Sequence, residues 1–151
     1  MRVSIIGAGG IGGWLGAKLS GSGVDVALVA RGAQLAAIRE NGLRLEEPDG
    51  VSVWHPSALS DDPAALGPAD LTVFAVKAHQ MPDAIAQAGP LMAGGGVALP
   101  FQYGVDAPRL LAEAFGADHA LIGVARIFAK IVAPGVVSRY GTVADFTIGS
   151  L

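Results

Sequence analysis

Val3-Ser4-Ile5-Ile6-Gly7-Ala8-Gly9-Gly10-Ile11-Gly12 is the stretch from which the rest of the chain is read. Residues 3–6 are a short apolar run rich in β-branched side chains and halted by Gly7, the pattern of a strand buried on both faces of a parallel sheet. Residues 7–12 then spell G-x-G-x-x-G where a helix is due to begin. In that helix Ile11, Leu15 and Leu19 fall four apart and form one apolar stripe, before Gly21-Ser22-Gly23 supplies a stop. Gly7 permits a tight turn, Gly9 lets the backbone approach a pyrophosphate, and Gly12 lets helix and strand pack closely. Ala8, Gly10 and Ile11 complete a loop whose unpaired N–H groups and partial positive charge suit an anion. A merely tight turn is the bland alternative. The loop follows the first strand, opens an apolar helix and lies in a βαβ unit of the expected length, all of which favour a dinucleotide.

Outward from this loop, residues 24–30 predict a second strand, and residues 34–41 a helix with Gly42 where a helix C-terminal glycine is expected. Residues 43–47 and 51–55, parted by Pro48-Asp49-Gly50, predict a hairpin or a strand with a long turn. A short helix is expected over 61–66 and a buried strand over 71–76. Residues 81–92 have helical composition disturbed near Gly89-Pro90, and the glycines at 94–96 lead into a strand over 97–101. Asp106 is placed to cap the next helix, with Pro108 in its first turn and Leu110, Leu111 and Ala114 facing inward. Residues 121–127, 136–140 and 143–148 close the chain as strands. Strands alternating with helices predict an α/β domain of the Rossmann type, doubly wound, with a mainly parallel sheet and helices on both faces.

Composition supports one such domain and narrows its partners. With 151 residues, 52% of them apolar, the chain suffices for a single core. Its 22 glycines form no collagen-like period or low-complexity run, so they serve turns and close backbone approaches. A formal charge of −3 lacks the basic footprint with which nucleic-acid binders neutralise phosphates. The absence of cysteine excludes disulfides and thiolate metal sites, and His55, His79 and His119 have no close metal-ligand spacing, so no metal is expected. No uninterrupted apolar segment reaches the roughly eighteen residues of a membrane span, and the glycines after residue 6 argue against a signal peptide. A soluble, cytoplasmic protein is expected.

In open parallel sheets, ligands bind beyond the carboxyl ends of the strands, so the residues leaving each strand are the candidates. An NAD-preferring site usually ends its second strand with Asp or Glu, which binds the ribose 2′-hydroxyl. Here that end reads Leu28-Val29-Ala30-Arg31-Gly32, and Asp25 lies at the strand's other end. Arg31 can form a planar, charge-assisted fork with a 2′-phosphate, which predicts NADP(H); the plainer alternative is a solvated arginine starting a helix. One charged hydrogen bond of about 1.5–3 kcal/mol corresponds to a roughly ten- to hundredfold preference for NADPH over NADH. Lys77, in Val76-Lys77-Ala78-His79-Gln80, is placed to touch the ribose, the nicotinamide end or an anionic substrate, or else is an ordinary surface lysine. His79 is as well explained by solvation or capping as by catalysis. In Phe101-Gln102-Tyr103-Gly104, Gln102 or Tyr103 is a candidate cofactor contact, and Tyr103 reads as an aromatic wall at least as well as a proton donor.

The loop at 7–12, Val29-Ala30-Arg31-Gly32, the Val76-Lys77 turn, residues 99–104 and 123–129, and Pro134-Gly135-Val136-Val137 leading toward Ile148-Gly149 form an ordered set. Over nearly the whole chain this set resembles the N-terminal domain of the ketopantoate reductase (2-dehydropantoate 2-reductase) family. The resemblance implies an NADP-dependent oxidoreductase of pantothenate biosynthesis, acting on the CH–OH group. It further implies that Arg31 meets the 2′-phosphate, that Lys77 contacts the cofactor near its reactive end as an auxiliary to catalysis, and that Ala129 lines the nicotinamide pocket through its backbone. One departure bears on recognition of substrate or ribose: the family usually has Asn after the Gln of the turn, where this chain has Tyr103.

Reducing a ketone needs a hydride, a proton for the emerging alkoxide and a group that holds the substrate in line. The residues above provide convincingly only for the hydride donor. Members of the family resembled carry a second, helical domain whose lysine and acidic residue act on the substrate. Residues 1–151 are therefore expected to be the dinucleotide-binding domain without that helical domain, able to bind nucleotide yet poor in turnover. Apolar surface left at its end would favour self-association as a homodimer. A dinucleotide-sensing or regulatory module without catalysis is the competing function, since it needs no second domain. Which small 2-oxo acid is reduced, ketopantoate or a relative, is left open by these residues.

Overall fold

In chain order the first half comprises β1 (Arg2–Ile6), α1 (Gly10–Gly21), β2 (Asp25–Val29), α2 (Gly32–Asn41), β3 (Leu43–Glu47), β4 (Gly50–Trp54), β5 (Ala58–Ser60) and β6 (Leu71–Phe74). The second half comprises α3 (Met81–Gln87), α4 (Gly89–Met92), β7 (Val97–Pro100), α5 (Ala107–Phe115), β8 (Leu121–Ala133) and β9 (Val136–Ser150). Short 3-10 turns occupy Pro63–Leu66, Ala78–Gln80 and Ala117–His119. The computed structural model describes all 151 residues.

Five strands form a wholly parallel sheet in the order β5-β2-β1-β6-β7. Val3, Ile5, Val26, Leu28, Val73 and Leu99 face one side, and Ile6, Ala27, Val29, Phe74 and Ala98 face the other. Both sets are buried, because crossover helices cover both faces and leave neither alternate row in water. Met81, Ala84, Ala88, Leu91 and Leu111 from α3, α4 and α5 cover the second face. The first is covered by α1, by Leu35 and Ile38 of α2, and by a further sheet. From β1 the chain runs outward through β2 to β5, then returns to β6 on the other side of β1. This reversal of direction opens a crevice at the carboxyl ends of β1 and β6.

The second sheet, ordered β4-β3-β9-β8, is the main departure from the sequence expectation. The hairpin over 43–55 is present as the antiparallel pair β3–β4, but β3 also pairs in parallel with β9. The two strands that the sequence predicts over 136–140 and 143–148 are one strand, β9. The extra residues 141–143 bulge out where Ile127 pairs with Ala144 and Phe128 with Tyr140. β8 runs on to Ala133, beyond the expected residue 127, because its ladder with β9 continues. The three-residue β5 has no alternation long enough to read, and its pairing with β2 defines it.

Two expectations for α5 also need correction. Ala114 is exposed, while Leu110 and Leu111 of α5 face inward as expected and are joined by Ala107 and Phe115, with Phe115 packed on Phe74 at 6.2 Å between ring centroids. Asp106 occupies the N-cap position of α5 without a side-chain capping bond. In α1 the most buried residues are Gly12, Gly13 and Gly16, while Ile11, Leu15 and Leu19 are only partly buried beside them. A methyl group on Gly16 would come within 2.5 Å of the Trp54 ring, so the small face of α1 is what admits the second sheet.

A buried carboxylate fastens these layers. Glu47, with a side chain only 7% exposed, accepts hydrogen bonds from Trp14 Nε1 and Arg139 Nε, both at 2.8 Å, and from Lys18 Nζ. Burial pushes its carboxyl upward, but the hydrogen bonds from Lys18, Trp14 and Arg139 and the Lys18 charge outweigh this and bring it down to about 2. Beside this network Trp14 stacks on Phe146 at 5.6 Å, and Phe146 meets Phe101 edge-on at 5.0 Å. No helix is long and apolar enough to cross a membrane.

Candidate functional site

The crevice at the sheet reversal is a cleft of about 450 Å³. Its lining comes from the carboxyl ends of β1, β2, β6 and β7, from the start of α1, and from Ile127, Ala129 and Ile131 of β8. Gly7, Ala8, Gly9, Gly10, Ile11, Arg31, Lys77, Gln102, Tyr103 and Ala129 all line it, so nearly every residue singled out from the sequence meets in one place. Gly12 is the exception. A Cβ there would lie 2.0 Å from the Gly7 carbonyl oxygen, so Gly12 packs helix against strand and does not face the cleft.

The other loop glycines divide the work. Gly7 has φ +110, which a side chain disfavours, and a Cβ there would press 2.8 Å from the Ala75 carbonyl oxygen. Gly9 has no protein atom within 4 Å of where a Cβ would stand, so its lack of a side chain leaves open space in the cleft. Gly10 has a reason that the sequence reading did not supply: a Cβ would lie 2.2 Å from the carbonyl oxygen of Ala129, where β8 crosses the start of α1. The first backbone bond of α1 runs from Gly13 N–H to Gly9 C=O at 2.8 Å. The amides of Gly10, Ile11 and Gly12 therefore donate to no backbone acceptor. A glycine cradle with free amides at a helix N-terminus fits a diphosphate in charge and in space.

At the end of β2, Arg31 has extended backbone and its carbonyl accepts the Leu35 N–H at 3.2 Å, which starts α2. Its guanidinium joins no ion pair, and Nη2 donates to Oε1 of Gln87 at 2.6 Å. Asp25 lies at the opposite end of the strand, paired with Arg2 at 3.5 Å and hydrogen-bonded by Ser57. Lys77 leaves β6 with its backbone N–H bonded to Gln80 Oε1 at 3.0 Å and its ammonium in no ion pair. Gln102 is among the residues lining the cleft; it donates from Nε2 toward Met81 Sδ at 2.6 Å, and its Oε1 is buried away from the cleft surface without a partner. Tyr103 is 85% exposed, which fits an edge of the cleft better than an enclosed wall.

None of the three histidines lines the cleft. His79 is exposed, His119 Nδ1 lies 3.0 Å from the Gly96 carbonyl, and His55 packs on Gly42. Sequence reasoning missed Gln34, Gln80 and Asp83, which do line it. Gln34 Nε2 donates to the Ala8 carbonyl and Gln34 Oε1 accepts from Gly135 N–H, both at 2.8 Å, so one amide braces the glycine loop against the β8–β9 turn. Its signal was its place three residues after Arg31, on the same helix face.

A family model described as Ketopantoate reductase PanE/ApbA matches residues 3–151. The chain belongs to this family. It is 39% identical over 150 residues to a 2-dehydropantoate 2-reductase of Mesorhizobium japonicum, an alignment that takes in 90% of this chain and 46% of that protein. With a 2-dehydropantoate 2-reductase of Halobacterium salinarum it shares 34% over 150 residues, covering 99% of this chain and 49% of the relative. The crystal structure of 2-dehydropantoate 2-reductase from Porphyromonas gingivalis W83 superposes with a TM-score of 0.92 at 28% identity, over 98% of this chain and 54% of that one. The chain thus spans about half the length of the ketopantoate reductase relatives it matches.

Proposed function

We propose that residues 1–151 are the NADP(H)-binding half of an NADPH-dependent reductase of a small 2-oxo acid, ketopantoate or a close relative. The observation that carries the cofactor choice is the end of β2, which offers Arg31, free of any carboxylate, one strand away from the unbonded amides of α1. In this reading the Gly9, Gly10 and Ile11 backbone receives the diphosphate and Arg31 takes the 2′-phosphate. Lys77 and Gln102, which both line the cleft, serve the reactive end, Lys77 through a positive charge and Gln102 as a polar contact. Ala129 closes the cleft from β8, and Tyr103 stands at its rim. The bound nicotinamide would supply a hydride to the substrate carbonyl carbon.

The proton donor and the groups that orient the substrate are proposed to come from a further, helical domain. The greater length of the relatives supports this, as does the exposed apolar face of the β8–β9 ribbon. A cytoplasmic setting and a homodimer belong to the same reading.

Titrating the purified chain with both nucleotides tests the cofactor assignment; about tenfold or stronger preference for NADPH is expected, and no uptake of either at millimolar concentration sinks it. Assaying NADPH oxidation with ketopantoate, for this chain and for one extended by a helical domain of a relative, tests the reaction. Activity gained on extension supports the reductase. Tight NADPH binding without activity in either form points to a sensing module.

A further inference from the structure

The contact between Arg31 and Gln87 joins the start of α2 to the last residue of α3. Both side chains are exposed, so neither is held there by packing. Gln87 lies one turn beyond Asp83, which lines the cleft, and it lines a shallow depression together with Asp61 and Asp62. Three carboxylates thus share these surfaces with Arg31 or Gln87, yet Arg31 joins no ion pair and an uncharged amide takes the guanidinium.

That choice of side chain has a consequence. An amide oxygen fixes the plane of a guanidinium through one of its five N–H donors and leaves its charge uncompensated. A carboxylate in the same place would orient it equally well but would neutralise it and repel an approaching phosphate. An apolar residue would leave a long side chain free to sample its rotamers.

We infer that Gln87 is a positioning residue that sets nucleotide specificity, holding the Arg31 guanidinium ready for the 2′-phosphate of NADPH without neutralising it. This rests on the NADP(H) reading of the cleft and deepens it by naming the residue that prepares Arg31.

Fluorescence titration of the purified chain with NADPH and with NADH tests the inference, using Gln87→Leu, Gln87→Glu and Arg31→Ala, each checked for unchanged circular dichroism. Gln87→Leu is expected to weaken NADPH binding about three- to tenfold while NADH changes by less than about twofold. Gln87→Glu is expected to weaken NADPH by more than about tenfold, again sparing NADH, and this loss should vanish in the Arg31→Ala background. A general structural role would move both nucleotides together. The inference is overturned if Arg31→Ala erases the NADPH preference while both Gln87 variants keep it. If Arg31→Ala also leaves the preference intact, the 2′-phosphate reading of Arg31 fails first and takes the role of Gln87 with it.

Discussion

Gly9 and Gly12 stand three residues apart in one loop, and the structure gives their missing side chains unrelated reasons. A methyl group at Gly12 meets the Gly7 carbonyl oxygen at 2.0 Å, so Gly12→Ala forces helix from strand. We expect it to destabilise by about 1–3 kcal/mol, read as a lowered Tm. At Gly9 the same methyl meets no protein atom, so Gly9→Ala should leave Tm nearly unchanged. It should nevertheless weaken nucleotide binding about tenfold or more, because the backbone can no longer touch the diphosphate. Equal effects of the two substitutions on Tm would contradict this division. The motif G-x-G-x-x-G was legible from the chain alone, but which glycine borders open space and which serves packing depends on what lies opposite each.

Among the elements, α1, β3 and β9 meet at Glu47, and that junction should respond to acid. Its carboxyl titrates near 2 in the folded protein against an ordinary 4.5, so the unfolded chain binds the extra proton first. The stabilisation is therefore complete above about pH 4.5, declines as pH falls, and is gone below about 2. Its size is on the order of 2 kcal/mol, given that Lys18 is half-exposed and partly screened. Urea unfolding of the natural chain and of Glu47→Gln at a series of pH values checks this. The variant is expected to be less stable at neutral pH and to show a flatter loss between pH 4.5 and 2. Identical slopes would mean that the network does not carry the acid sensitivity. The two strands in contact at this junction, β3 and β9, were each recognisable, yet their parallel pairing was not.

For the molecule as a whole, the β8–β9 ribbon is the exposed feature that calls for a partner. Phe128 is 72% exposed, and Val124, Tyr140 and Val143 are also open to solvent. Lys130 lies over the Tyr140 ring at 5.2 Å, and Arg126 pairs with Asp145, which softens the face without covering it. We expect the isolated chain to self-associate through this ribbon and Phe128→Asp to reduce that association, with Tm shifted by less than about 2 °C because the side chain contributes little to the core. Sedimentation velocity over a range of concentrations checks it. Association that is unchanged by Phe128→Asp would place the contact elsewhere.

The chain alone determined the central strand, the glycine loop, the start of α1, the absence of an acid after β2 and the presence there of Arg31. Each of these is a property of neighbouring residues: a β-branched run, a glycine where φ must be positive, a helix beginning where its amides have no acceptor. The tertiary structure alone decided that β9 joins β3 in a second sheet, that Gly10 must clear Ala129, and that Gln34 and Gln87 brace the cleft. These contacts join residues far apart along the chain, Gln34 to Gly135 across 101 positions and Arg31 to Gln87 across 56. Short-range periodicity carries no record of such a partner; packing in three dimensions selects it.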